Sequence, residues 1–213
     1  MSMSGAVTQR AETLQHGIDV EATARQAVHR NDVRAELGFG LDEIVVGTVA
    51  NFRPQKDYPN LLGAAKILAD SDVPVRFVAV GQGPQEAETR QLRQDLGLEE
   101  CVILTGFRND AVRIMSACDV FTLASQWEGL PVALMEALAL NLPVVATAVG
   151  GVAEELVNDE TALLVPPGDK WALAGAIERV VSDPDLRARL SGASARRGAD
   201  FDVRKAVARI EDT

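Results

Sequence analysis

The chain has 213 residues, 47% of them hydrophobic, which is enough material for one substantial core. With 31 Asp and Glu against 21 Lys and Arg the formal charge is −10, which speaks against a nucleic-acid backbone as partner and gives weight to basic residues gathered at a strand end. The two cysteines, Cys101 and Cys118, lie far apart in apolar surroundings without metal-ligand spacing, so they read as buried free thiols in a reducing, cytoplasmic compartment.

The first 41 residues are polar and charged, without the apolar core of a signal peptide and without a clear strand. Positions 31–37 read as a short helix started by Asn31 or Asp32. From 44 onward strands and helices alternate. The β-branched run 44–51 predicts a central buried strand, and 57–69 carries apolar residues at helical spacing. A second strand, 75–80, closes on Gly81-Gln82-Gly83-Pro84 and is followed by a polar helix over 84–96. A third strand over 102–105 precedes Gly106 and a helix at 110–117, and a fourth at 120–124 leads into Ser125. The apolar run 130–153 is broken by Glu136, Asn141 and Pro143, so it reads as helix, turn and buried strand (144–147), not as a membrane span. A short helix from Gly150-Gly151 to Val157 and a sixth strand at 162–165 complete the alternation. Beyond 166–168 the pattern is helical: 170–181, 184–198 and 203–210.

This alternation predicts an α/β fold, a doubly wound, Rossmann-like parallel sheet of six strands with C-terminal helices. The domain division expected is a leader at 1–41, the sheet domain at 42–200 and a C-terminal helix at 201–213. Ligands of such sheets sit beyond the carboxyl ends of the strands, which directs attention to 51–57, 81–84, 106–108 and 124–131.

In the first of these loops Arg53 and Lys56 stand just ahead of a helix N-terminus, where backbone N–H groups and two cations outline a diphosphate site. Gly81 and Gly83 permit close backbone approach, as in a turn or against a ligand, but they lack the third glycine of a dinucleotide fingerprint. Gly106 and Phe107 follow the third strand, with Phe107 as either a ligand contact or a core plug. The stretch Ser125 to Ala139 carries Glu128 in a loop and Glu136 inside a helix that Pro131 helps to start. Glu136 is the only charge between Gly129 and Ala153, so it needs donors or a raised pKa. The two glutamates are roughly 80° and more than two turns apart on a helix, too far for a close acid/base dyad but suited to gripping two ends of one polar ligand. Gly129 and Leu130 offer N–H groups at the helix opening.

The stretch SQWEGLPVALMEALALNLPVVAT resembles the signature of the retaining GT-B glycosyltransferases, the family that includes sucrose synthase, glycogen synthase and bacterial mannosyl- and glucosyltransferases. Glu128 and Glu136 have the family's spacing, with seven residues between them. The phrase LQHGID at 14–19 resembles the approach to the C-terminal half of those enzymes. The resemblance implies the donor-binding half of a GT-B fold and a nucleoside diphosphate sugar, with UDP or GDP, as donor. It implies hexose transfer with retained configuration in the complete enzyme, and neither a cofactor nor a metal. By the same resemblance Arg53 and Lys56 neutralise the leaving diphosphate, Glu128 binds sugar hydroxyls and Glu136 the ribose. Gly81 and Gly83 line the donor cleft, Gly106 and Phe107 lie beside the base, and Ser125, Gly129 and Leu130 belong to the signature loop. Two positions depart from the pattern. Many members carry the arginine where Asn51 stands, and many have a glycine in place of Pro131, which has no N–H to donate. The acceptor would sit on an N-terminal domain of ~100 residues, which the leader is too short to contain, and both histidines, His16 and His29, fall in that leader. The isolated chain is therefore expected to bind a donor and to transfer nothing at an enzyme-like rate. A nicotinamide oxidoreductase is disfavoured by the glycine-free first loop; a non-catalytic nucleotide-sugar module and, more distantly, a sugar-nucleotide epimerase are the alternatives.

Overall fold

The computed structural model describes residues 17–27 and 30–211. His16, His29 and the first half of the 14–19 phrase lie outside the described residues.

Six strands form one parallel sheet: β1 (Ile44–Val49), β2 (Val75–Val80), β3 (Val102–Gly106), β4 (Val120–Leu123), β5 (Val144–Thr147) and β6 (Leu163–Val165). Their order is β3-β2-β1-β4-β5-β6, with every neighbouring pair parallel. Nearly every strand residue is buried or half-buried, which is why the strands read as continuous apolar runs instead of alternating ones. β1 ends two residues earlier than expected, because the Ala50 carbonyl accepts from the Tyr58 hydroxyl at 2.7 Å and the chain leaves the ladder there.

Helices cover both faces. On one side α3 (Tyr58–Asp70) and α8 (Lys170–Ser182) bury Leu61, Leu62, Leu68, Leu173, Ile177 and Val180 against the sheet, with α4 (Glu86–Asp95) at the edge. On the other, α5 (Ala111–Ser116), α6 (Val132–Ala139) and α7 (Gly150–Glu155) close a second cluster around Phe121, Leu134, Met135, Leu138 and Val144. The long helix α9 (Pro184–Gly198) and α10 (Val203–Glu211) follow. Asp169 and Asp183 cap α8 and α9, each accepting from backbone N–H groups of the first turn. Cys118 is buried, Cys101 half-buried and both are free; burial pushes the Cys118 thiol up to about 12.

The leader holds more structure than its composition suggested. Besides α2 (Arg30–Glu36), one residue earlier than expected, it contains α1 (Val20–Gln26), capped by Asp19, whose carboxylate accepts from the Ala22 N–H at 2.8 Å. Arg34 is 1% exposed. Its guanidinium donates to the carbonyls of Gly40, Leu41 and Glu43 at 2.8–3.0 Å, to Ala117 O at 3.1 Å and to Asp119 Oδ2 at 2.6 Å. Arg30 reaches the other oxygen of Asp119, and Asp119 also accepts from the Val45 N–H at 2.8 Å. These contacts staple α2 to the starts of β1 and β4 and leave the opposite, carboxyl ends of the strands open.

Candidate functional site

The strand order reverses between β1 and β4, so the loops that follow them diverge and leave a crevice at their carboxyl ends. After β1, Phe52 is fully buried and its ring lies 4.4 Å from that of Tyr58, centroid to centroid. This aromatic pair sits under a single 3-10 turn, Pro54–Lys56. Asp57 closes the turn in the left-handed region (φ 45°, ψ 55°) and caps α3, accepting from the Asn60 N–H at 3.2 Å. A non-glycine residue held there costs free energy, so surrounding contacts must fix it; the Gln126 side chain supplies one by donating to the Asp57 carboxylate.

The loop after β4 carries Glu128, whose side chain is only 5% exposed. It is not a solvated loop acid. Lys56 pairs with it, Ser125 Oγ donates to Oε1 at 2.6 Å, and Gln55 Nε2 donates to Oε2 at 3.2 Å. Ser125, buried, is thereby turned to Glu128 and away from solvent, and its own carbonyl accepts from the Thr147 hydroxyl at 2.6 Å. Beneath this loop lies the first turn of α7. Gly150 has φ +43°, and a Cβ there would stand 1.9 Å from Glu128 O; a Cβ on Gly151 would stand 2.6 Å from Gly129 O. The loop at 128–130 rests directly on two glycines, which is the physical reason for Gly150-Gly151.

Between these loops and α6 lies an open cleft of about 350 Å³ lined by, among others, Asn51, Lys56, Gly81, Phe107, Arg108, Val132 and Glu136. Glu136 is half-buried, finds no side-chain partner among the described residues, and burial raises its carboxyl pKa. The isolation read from the sequence persists in the folded chain. Phe107 is 64% exposed on the cleft wall and is no core plug. Arg108 beside it is bonded to Asp110 at 2.7 and 2.8 Å and to Glu36 at 2.8 Å. The Arg108 guanidinium foremost, with Arg113 on the same carboxylate, holds the Asp110 carboxyl well below the usual range.

The structure thus gathers Lys56, Gly81, Phe107 and Glu136 on one cleft and sets Glu128 and Ser125 behind Lys56. Other expected positions fall elsewhere. Arg53 is exposed, makes no side-chain hydrogen bond or ion pair among the described residues, and is not on the cleft wall, whereas Asn51 is. Gly83 is not on that wall either; a Cβ there would stand 2.4 Å from Phe52 O, so close loop packing explains it. Gly81 has the same backbone constraint, 2.0 Å from Ala50 O, although it lines the cleft. Gly106 ends β3 at φ +76° and its carbonyl accepts from the Gly81 N–H at 3.0 Å. Leu130 packs against the second core cluster and Gly129 is exposed. Neither opens the helix: α6 starts at Val132, with Pro131 as an extended N-cap (ψ 133°). Gln55 had no signal in the sequence beyond its place beside Lys56.

The family model for glycosyl transferases group 1 matches residues 29–197. The chain is 29% identical over 207 residues to UDP-Gal:alpha-D-GlcNAc-diphosphoundecaprenol alpha-1,3-galactosyltransferase of Escherichia coli, covering 95% of this chain and 53% of that one. It is 33% identical over 158 residues to the lipopolysaccharide core biosynthesis glycosyltransferase LpsD of Rhizobium meliloti, covering 74% and 45% respectively. The chain thus spans about half the length of these curated relatives. Among solved structures, HepE of Anabaena in complex with UDP and glucose superposes with a TM-score of 0.84 at 26% identity, over 94% of this chain and 55% of that one. Sucrose-phosphate synthase of Thermosynechococcus elongatus gives 0.80 at 29%, over 93% and 50%. The six-stranded parallel sheet with flanking helices matches these GT-B glycosyltransferase structures, and the chain belongs to the glycosyl transferases group 1 family.

Proposed function

We propose that this chain is the donor-binding half of a retaining glycosyltransferase that takes a UDP-linked hexose. The observation that carries the reading is the cleft at the strand-order reversal, which holds a cation, Lys56, and a half-buried carboxylate without a side-chain partner among the described residues, Glu136, on one wall system with an exposed aromatic ring, Phe107. A nucleoside diphosphate has complementary parts. Its phosphates suit Lys56, its ribose hydroxyls can donate to Glu136, and its base can lie along Phe107. Glu128, held behind Lys56, is proposed to meet the sugar hydroxyls, and Arg53 to add a second cation at the diphosphate. Fixed cations contribute most where charge develops on the leaving group. UDP is favoured over GDP because HepE was solved with UDP and glucose and the Escherichia coli relative uses UDP-Gal by name. The acceptor would be met by another domain of the complete protein, and neither cofactor nor metal enters the proposal.

Glu136 gives the first test. In Glu136→Ala, UDP affinity by calorimetry is expected to fall by about 1 to 3 kcal/mol, the cost of lost hydrogen bonds to a half-buried carboxylate, with no fall in melting temperature. Unchanged affinity would remove the ribose assignment. Glu136→Gln adds a pH signature. The folded pKa is raised above the ordinary value of 4.5, so the wild type binds more protons folded than unfolded and loses stability as pH rises through that window. The glutamine variant is thus expected to melt higher than wild type at pH 7, and the difference to close as pH falls below 4.5.

A second test concerns turnover. Closure of two domains around donor and acceptor supplies positioning and excludes water, and one face of a cleft supplies neither. The 213-residue chain incubated with its best-bound donor and candidate acceptors is expected to give no glycosylated product by mass spectrometry. Robust turnover would overthrow the half-enzyme reading.

A further inference from the structure

The loops that carry the candidate site are joined by more than the Lys56–Glu128 pair. Gln55, in the middle of the 3-10 turn, bridges them through both its main chain and its side chain. Its carbonyl accepts from the Gln126 N–H at 2.8 Å. Its side-chain Nε2 donates to the Trp127 carbonyl at 2.9 Å and to Glu128 Oε2 at 3.2 Å. An amide nitrogen has two N–H groups, and here each has an acceptor. The opposite amide orientation would set the Gln55 carbonyl oxygen against two oxygens that can only accept, so the network fixes the assignment.

The donors on Glu128 are divided between its two oxygens. Oε1 receives Lys56 and Ser125, while Oε2 receives Gln55. A diphosphate arriving in the cleft competes for Lys56, the one donor of the three that carries charge. When Lys56 turns to phosphate, Glu128 would be left in a nearly closed site held by Ser125 alone, were it not for the second oxygen. A neutral amide suits that task, since it is no strong competitor for the phosphate and remains on the carboxylate throughout.

We infer that Gln55 is a positioning residue that keeps Glu128 aimed at the donor sugar while Lys56 engages the diphosphate. The inference rests on the roles proposed above for Lys56 and Glu128. Gln55 also couples the two loops, because the turn that carries Lys56 cannot shift without drawing on the 126–128 backbone.

The test is a calorimetric comparison of UDP and UDP-glucose on the 213-residue chain, as wild type, Gln55→Met and Gln55→Asn. Methionine keeps the length and removes both N–H groups. The expected result is a fall of about tenfold in UDP-glucose affinity, the worth of a hydrogen bond to a charged group, with UDP affinity changed by less than about twofold. A residue that merely held the fold would weaken both ligands together. Equal loss for UDP and UDP-glucose, or no loss for either, in a chain whose wild type binds both, overturns the role of Gln55 alone. A wild-type chain that binds neither ligand overturns the nucleotide-sugar reading, and the inference with it. Gln55→Asn keeps an amide that is one methylene too short to reach both acceptors, and is expected to show the same selective loss to a smaller degree; it carries the test if the methionine variant does not fold.

Discussion

Replacing Arg34 by alanine is expected to lower the unfolding free energy by about 3–5 kcal/mol, the range for breaking a buried charged network by removing one member. For a domain of this size that corresponds to a fall in melting temperature of roughly 6–20 °C. The size of the effect comes less from the ion pair than from the acceptors left behind. Asp119 would keep Arg30 and the Val45 N–H, but the carbonyls at 40, 41, 43 and 117 would lose the donor that satisfies them. Ala117 O is buried, and a buried acceptor without a donor costs about 1–3 kcal/mol, whereas the carbonyls at 40, 41 and 43 are only part-buried and cost less where water reaches them. Arg34→Lys is expected to recover only part of the loss, since an ammonium cannot present a planar fork to four carbonyls and a carboxylate. Thermal and urea unfolding of the three proteins measures this directly; a loss under about 1 kcal/mol for Arg34→Ala would show that water replaces the guanidinium.

Lys56→Ala is expected to weaken UDP by about 10–100-fold, with free uridine little changed. A charge-assisted bond to phosphate, about 1.5–3 kcal/mol, accounts for a fall of that size. A second effect adds to it, because Glu128 would meet the incoming diphosphate without the cation that now pairs with it. The two contributions separate in a double-mutant cycle. Lys56→Ala combined with Glu128→Gln should bind UDP better than Lys56→Ala alone, since the repulsion is gone. If the double variant binds no better, Glu128 does not face the phosphates once Lys56 is removed. Parallel measurements on Arg53→Ala and Asn51→Ala decide the other cation. A wild-type response from Arg53→Ala together with a clear loss from Asn51→Ala would make Arg53 a solvent residue.

The sheet was legible because the strands are short and mostly apolar, rich in Val, Ile and Leu, and burial on both faces demands that composition. Val144 to Thr147 and Pro184 to Gly198 fall where the pattern puts them, the second because Asp183 and Pro184 mark its start. The leader was misleading for the opposite reason. Arg30 and Arg34 look like solvent residues in a polar stretch, and the aspartate that accounts for them lies 85 positions beyond Arg34. No local pattern exposes such a pairing, although Asp19 ahead of Val20 was a usable cap signal for α1. At the site, the isolation of Glu136 was legible because an apolar run advertises any charge inside it. The partnership of Lys56 with Glu128 was not, for it spans 72 positions. Arg53 was given weight for its charge, but the buried Phe52 and the 3-10 turn leave it outside the cleft wall, a matter of backbone path and not of residue type.

The chain approaches and leaves its folded body side by side. Ile18 and Asp202 form a parallel bridge, with the Ile18 N–H donating to Phe201 O and the Val203 N–H to Ile18 O, both at 2.9 Å. Gly17 is pressed against the same place, since a Cβ there would stand 2.7 Å from Phe201 O. Because the two segments run in the same direction, tension pulling backward along the first and forward along the second loads this pair of hydrogen bonds in shear. The six strands of the sheet are bypassed. Force applied between the segment before Ile18 and the segment after Asp202 would load this crossing ahead of the sheet and of the cleft at its carboxyl edge.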